Sequence, residues 1–208
     1  AGFYGGVEAS EWSWGPIFLD VDLDGYEDIL VTNGQLRDFQ NNDMNVHMER
    51  VRMSKQMVGI ELLGLVKLFP NYATPNLIFR NRGNWTFEEV GAAWGFHETG
   101  ISQGMALADL DNDGDLDVAM NNLNEEAGVY RNNGSAPRVA VRLKGLPPNT
   151  RGVGAKIKVT GGPVVQSQEM SCAGRYLSAD DLLRVFAAGN PTNRLTLEVT
   201  WRSGRTGV

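Results

Sequence analysis

The sequence predicts an all-β chain: partial β-propeller blades with a helical insertion, followed by a small β-sandwich or barrel-like domain. Three observations lead there. The chain repeats part of itself, its apolar runs are short and bounded by glycine and asparagine, and a second set of runs with a different texture begins after residue 134. Glycine fills 25 of 208 positions, well above ordinary usage, and turns are where that excess is needed.

The repeat comes first because it sets the frame. At an offset of 89, Ser13, Gly15, Asp20, Asp22, Asp24, Gly25, Asp28 and Asn33 fall on Ser102, Gly104, Asp109, Asp111, Asp113, Gly114, Asp117 and Asn122. All eight identities are polar or glycine, so they do not describe a core. At an offset of 51, IFRNRG (78–83) falls on VYRNNG (129–134), so the first unit holds about 38 extra residues between its acidic stretch and its turn. Around the insertion, the runs 17–19, 28–32, 77–80 and 86–90 read as short antiparallel strands, and several such strands per repeat describe propeller blades.

The inserted residues, about 35–73, follow another period. Met44, Met48, Val51, Val58, Leu62, Leu65 and Phe69 recur at helical steps, with Asn42 or Asp43 as N-cap and Pro70 as stop. An amphipathic helix packed on the blades is expected, broken near Gly59 or Gly64. After Asn133 the runs RVAVRLKG, AKIKVTGG, VVQSQEMS, LLRVFAAG and LTLEVTWRSG give five strands of a compact β domain. The expected domains are therefore 1–134 and 135–208.

Charge locates a site. The stretches DVDLDGYED (20–28) and DLDNDGDLD (109–117) hold ten acids and no Lys or Arg, whereas the other 190 residues carry 15 acids against 19 bases. The net charge of −6 argues against a nucleic-acid or anionic-membrane partner. One cysteine excludes a disulfide framework, and no apolar run is long enough to span a membrane. The start, AGFYGG, lacks the features of a leader and the chain stops just after an apparent strand, so a piece of a longer protein is expected.

In D-x-D-x-D-G-x-x-D, carboxylates at positions 1, 3, 5 and 9 can converge while Val21, Leu23 and Leu110 pack inward. Gly25 or Gly114 permits the positive φ that turns the chain, and the carbonyl of Tyr26 or Asp115 can face the same point. These groups and water supply the 6–8 oxygens that Ca²⁺ takes at about 2.3–2.6 Å. Without a cation, like charges about 4 Å apart repel by roughly 4 kcal/mol per pair at an effective dielectric near 20. Two Ca²⁺ sites are expected, structural rather than catalytic, since saturated sites leave no position for substrate. An EF-hand is excluded: position 12 is Val31 or Met120 within an apolar run, not glutamate.

The two loops, the lead-ins Ser13-Trp14-Gly15 and Ser102-Gln103-Gly104, and the hairpins FRNRGNWTFEEV and VYRNNG resemble FG-GAP/VCBS repeats, the calcium-binding blades of integrin α-subunit propellers. The resemblance implies the ligands Asp20, Asp22, Asp24, Tyr26 (carbonyl) and Asp28, then Asp109, Asp111, Asp113, Asp115 (carbonyl) and Asp117. It also implies about seven blades, of which these two would form the C-terminal arc. Gly152-Val153-Gly154-Ala155, residues 171–178 (SCAGRYLS), Phe186-Ala187-Ala188-Gly189 and Trp201-Arg202-Ser203-Gly204 resemble the ASPIC/UnbV domain found in secreted bacterial proteins and cartilage acidic protein relatives. FAAG stands for its usual F-G-L-G and WRSG for W-P-S-G.

Other chemistry is thin. His47 and His97 lack ligand spacing, Cys172 is expected to be a buried inert thiol, and G-V-G at 152–154 is no dinucleotide fingerprint. Trp12, Trp14, Trp85 and Trp94 are expected in blade cores, with a sugar-stacking surface as the alternative. The expected function is a non-enzymatic, extracellular, cell-surface or periplasmic calcium-binding module for protein or glycan binding, adhesion or assembly. Alternatives are a piece of a polysaccharide-processing enzyme with catalytic residues elsewhere, or an accessory subunit of a larger surface complex docking through the helix.

Overall fold

The computed structural model describes residues 2–208; Ala1, first residue of the expected first domain, lies outside the described residues. A helical turn α1 (Gly2–Gly5) precedes β1 (Ile17–Leu19) and β2 (Asp28–Val31), an antiparallel hairpin joined by the first acidic loop. The insertion follows as α2 (Asn42–Lys55) and α3 (Glu61–Leu65). The chain then forms β3 (Thr74–Pro75), β4 (Leu77–Asn81), β5 (Phe87–Glu89), the short helix α4 (Gly91–Trp94) and β6 (Thr99–Gly100). Strands β1, β2, β4 and β5 form one four-stranded antiparallel sheet in chain order, which is a blade interrupted by the insertion.

The insertion departs from expectation in two respects. Asn41, rather than Asn42 or Asp43, caps α2, its side chain accepting the Met44 amide at 3.0 Å, and the helix ends at Gln56 in the left-handed region. No residue of α2 is buried, so the helix is not packed on the blades. Met44, Met48 and Val51, one face of the helix, are only half-buried, and Val46 and Met53 stand more than half exposed among Asn, Asp, His, Glu and Arg. Only the segment after it turns inward: Leu65 and Phe69 are buried, and the Phe39 ring sits 5.2 Å from Phe69.

The second repeat is β7 (Ser102–Ala108), β8 (Asp117–Asn122) and β9 (Gly128–Tyr130), an antiparallel meander whose first hairpin is closed by the second acidic loop. Buried polar groups join the two sheets. The Ser102 amide donates to the Asn33 carbonyl at 2.9 Å, the Asn33 amide donates to the Asn76 side chain at 3.0 Å, and Asn76 donates to Ser102 Oγ at 3.0 Å. Thr32 Oγ1 donates to the Gln103 carbonyl at 2.6 Å. Asn33 and Asn76 are 0% exposed, where buried polar groups seek partners, and of Asn33 only Oδ1 is left without one; Ser102 and Asn33 are among the repeated identities, and their role is to join neighbouring sheets.

The five expected C-terminal strands all form: β10 (Arg138–Val141), β11 (Lys156–Thr160), β12 (Gln166–Glu169), β13 (Arg184–Ala187) and β14 (Thr196–Thr200), with a short β15 (Thr206–Gly207) at the edge. β10 pairs with β13, and β12-β11-β14-β15 form a second sheet; among the described residues no sheet closes into a barrel. All four residues of β13 are buried. Because side chains alternate across a strand, Val185 and Ala187 join Leu183 in the core of the blades, against Ile17, Leu19, Leu107 and Val118. Phe186 points the other way, into the core of Val141, Ile157, Val159 and Met170. One strand therefore seals two cores.

Segment 171–182 straps the C-terminal unit to β7. Ser178 Oγ donates to the Met105 carbonyl at 2.5 Å, the Asp181 amide donates to the Leu107 carbonyl at 2.8 Å, and Asp180 Oδ1 accepts the Leu107 amide at 3.0 Å. Arg175 holds the other Asp180 oxygen at 2.7 Å. Cys172, expected to be buried, is exposed in this strap, because the strap lies over the sheet edge instead of entering the core.

Candidate metal centres

The two acidic loops are copies of one hydrogen-bonded frame. In the first, Asp20 Oδ1 accepts the Asp24 amide at 3.0 Å and Oδ2 the Gly25 amide at 2.8 Å. In the second, Asp109 Oδ1 accepts the Asp113 amide and Oδ2 the Gly114 amide, both at 3.1 Å. The position-9 carboxylates match as closely. Asp28 accepts the Val21 and Asn81 amides at 3.0 and 2.8 Å; Asp117 accepts the Leu110 and Asn132 amides, both at 2.8 Å. Asn81 and Asn132 are the asparagines of the repeated RN-x-G turns, so the offset-51 match marks the strand end on which each acidic loop is seated.

Backbone dihedrals repeat too. Gly25 and Gly114 have φ of +97° and +94°, as the turn requires, and Leu23 and Asn112 at position 4 have φ of +56° and +62°. Asparagine visits this region readily; leucine does so at a cost of about 1–2 kcal/mol. Leu23 is buried in the blade core, which offsets that strain. Leu110 was expected to pack inward but is 51% exposed, and Leu116 takes the buried place.

Three carboxylates in each loop present oxygens that all lie within 4.8 Å of one another: Asp20, Asp22 and Asp28 in the first, Asp109, Asp111 and Asp117 in the second. Oxygens held at about 2.3–2.6 Å on one ion can be no farther apart than roughly 5 Å, so each triplet fits a single divalent cation. Asp22 Oδ1 is buried without a hydrogen-bond partner, a lone oxygen of the kind a cation satisfies.

Position 5 is arranged differently from expectation. Asp24 and Asp113 accept the amides of Tyr26 and Asp115 at 2.9 and 3.1 Å, and each also faces an arginine, Arg80 at 3.4 Å and Arg138 at 3.1 Å. Neither belongs to its triplet. At position 7, Tyr26 lays its ring against Gly83, where a Cβ would come within 3.0 Å of it. Its counterpart Asp115 turns a carboxylate, 1% exposed, toward Arg138 at 3.1 Å. Arg80 also pairs with Asp22 at 2.6 Å and Arg131 with Asp111 at 3.3 Å. None of these arginines was read as a site residue, although Arg80 and Arg131 are the matching arginines of the repeated RN-x-G turns; Arg138 comes from a distant strand.

Burial dominates the electrostatics. It pushes the Asp20 and Asp28 carboxyls up to about 7, helped by the other acids of the loop and opposed by the amides they accept. Asp22 is raised by burial and by Asp24, against the pull of Arg80. Burial likewise raises Asp115 to about 7, and Arg138 opposes it. The Asp115 amide lowers Asp113. The first loop is the more enclosed, because Gly25 abuts Pro163 and Val164, where a Cβ would come within 2.7 Å of Val164.

Elsewhere the candidates fall away. His47 and His97 are exposed and apart from both triplets. Trp94 packs against the blade core, Trp14 donates to the Gly34 carbonyl at 2.5 Å and stacks near Tyr176, but Trp85, expected in a core, is 88% exposed on its hairpin turn.

Residues 63–120 match the family model of the FG-GAP-like repeat, and residues 145–208 match that of ASPIC and UnbV. No curated protein matches the chain. The first match runs from within α3 through most of β8 and includes the second acidic loop; the first loop lies outside it and shares the same hydrogen-bond frame. The chain therefore carries the architecture of an FG-GAP-like repeat followed by an ASPIC and UnbV domain.

Proposed function

We propose that this chain is a non-enzymatic, extracytoplasmic binding or assembly module whose acidic hairpin loops are fixed by Ca²⁺. The observation that carries the reading is the duplicated frame: ten amide contacts at matching positions leave one carboxylate triplet per loop within the span of a single ion. Asp20, Asp22 and Asp28 would hold one ion and Asp109, Asp111 and Asp117 the other. A bound ion supplies charge neutralisation rather than reaction chemistry. FG-GAP repeats are typical of extracellular proteins, where millimolar calcium saturates sites of about 10⁻⁴–10⁻³ M. No helix among the described residues is long and apolar enough to cross a membrane.

The insertion favours docking to another protein as one use of the module. α2 has no buried residue, and Val46, Met53, Val58, Ile60 and Leu63 of the insertion are all more than half exposed.

The test is metal analysis of the purified chain with thermal melts in calcium, in magnesium and in chelator. Two equivalents of calcium and a melting point lowered by chelator are expected. An unchanged melt and no retained metal would overturn the reading.

A further inference from the structure

The C-terminal unit has a charge of its own. Residues 1–137 carry 21 acids and 8 bases, whereas residues 138–208 carry 4 acids and 11 bases. Part of that positive charge gathers in a cleft of about 600 Å³ lined by Lys144, Leu146, Trp201, Arg202, Ser203 and Arg205. No carboxylate lines it. Lys144, Arg202 and Arg205 are exposed, and none enters an ion pair among the described residues.

The walls are preformed. On one side, Asn149 ties the loop by accepting the Val153 amide and donating to its carbonyl, both at 2.8 Å. On the other, the Trp201 amide donates to the Arg205 carbonyl and the Gly204 amide to the Trp201 carbonyl, both at 2.8 Å, across a tight turn. Two glycines support the second wall from behind: a Cβ on Gly152 would come within 3.1 Å of the Trp201 ring, and one on Gly154 would touch the methylenes of Arg202 at 3.5 Å. The sequence word W-R-S-G thus forms one side of the cleft, backed by G-V-G-A 49 residues before it, and the stretch from Lys144 to Asn149 forms the other.

Three free cations call for an anion, and arginines favour planar or tetrahedral oxyanions. The indole and Leu146 add a flat apolar surface, which a bare inorganic anion does not use. A ligand bearing both an oxyanion and an apolar face is required, and the cleft volume lies within the usual range of ligand pockets. A long nucleic acid also has both features, but it would run against the strongly acidic remainder of the chain. We propose that the cleft binds an anionic saccharide, its carboxylate or sulfate on Arg202, Arg205 and Lys144 and a sugar ring against Trp201. This deepens the binding-module reading by naming a ligand class, yet it uses no residue of the acidic loops.

Calorimetry with the full chain tests it, using a heparin-derived tetrasaccharide, tetragalacturonate, neutral maltotetraose and a thymidine tetranucleotide, each in calcium and in chelator. Binding of at least one acidic saccharide, with sulfate and carboxylate resolved by the first two probes, and none of maltotetraose is expected. The double variant R202Q/R205Q should weaken it about tenfold or more, Trp201→Ala similarly, while K156Q/K158Q, removing equal charge from the β11 strand, should change it less than about twofold. Equal loss in the two double variants, retained binding in R202Q/R205Q, or tighter binding of the tetranucleotide would overturn the assignment. Saccharide binding that persists in chelator while the calcium melts fail would sink the metal reading alone; the reverse would sink only this one.

Discussion

Arg138 Nη1 lies 3.1 Å from Oδ2 of Asp115, a carboxylate only 1% exposed, and its other nitrogens donate to the Asp113 carbonyl at 3.0 and 3.3 Å. Arg138 opens β10, so the second acidic loop is fastened to the first strand of the C-terminal unit. Removing one partner of an enclosed pair leaves the other charge uncompensated. Arg138→Gln should cost about 2–3 kcal/mol, below the full value for a completely buried pair because Arg138 keeps some contact with water. Asp115→Asn in the same background should recover part of the loss. A double-mutant cycle by chemical denaturation checks this, and additive losses would disprove the coupling.

Acidity should act in an unusual direction on the metal-free chain. Asp20, Asp28 and Asp115 have carboxyls raised to about 7 from 3.8, so between these values the folded chain binds more protons than the unfolded one. Stability then falls as pH rises through that window. In chelator the melting point should climb as pH is lowered from 8 toward 5. Calcium, which takes the place of the Asp20 and Asp28 protons, should stabilise strongly at pH 8 and little at pH 5. A chelated chain that loses stability steadily over the same descent would contradict the burial argument.

Asp111 is exposed and accepts no hydrogen bond within its loop; among the described residues its one ion-pair partner is Arg131. Asp111→Asn should therefore leave the chelated melting point almost unchanged while removing the calcium increment of the second loop, about 1–2 kcal/mol at a few millimolar. Asp28→Asn, by contrast, disturbs a carboxylate that is 0% exposed and accepts two amides, and should lower stability with or without metal. Calcium titrations followed by differential scanning calorimetry separate the two.

The paired glycines should differ in a telling way. Both have φ near +95°, so alanine at either is strained by about 1 kcal/mol. Gly114→Ala meets nothing nearer than Arg138 at 3.7 Å, whereas Gly25→Ala would press within 2.7 Å of Val164. Gly25→Ala should therefore cost more, by about 1–3 kcal/mol of added crowding. Equal losses in urea denaturation would mean that the C-terminal unit does not rest on the first loop.

The loops, the hairpins and the five C-terminal strands were legible because each is governed by neighbours in sequence: alternate carboxylates, a glycine at the sixth position, apolar residues at a period of two. What was hidden depends on distant partners. Nothing near Asp22 or Asp115 announces Arg80 or Arg138, and Asn33 reads as a turn residue until Asn76 and Ser102 are beside it. α2 shows the converse. Its helical period was plain, but period alone does not say whether a surface exists to receive the apolar residues, and the polar residues among them leave it standing in water. Leu23 in the left-handed region was beyond reach for the same reason, since only the surrounding core makes that conformation tolerable.

Strand β13 sets the smallest unit that can be made. A truncation at residue 137 would strip Leu183, Val185 and Ala187 from the hydrophobic centre of the hairpin sheets, and the excised tail would carry those same side chains bare on its underside. Expressed separately, both halves would be sticky and prone to aggregate, and mixing them should restore solubility. The covalent join is therefore less a tether between two finished modules than the middle of a single folding cooperative.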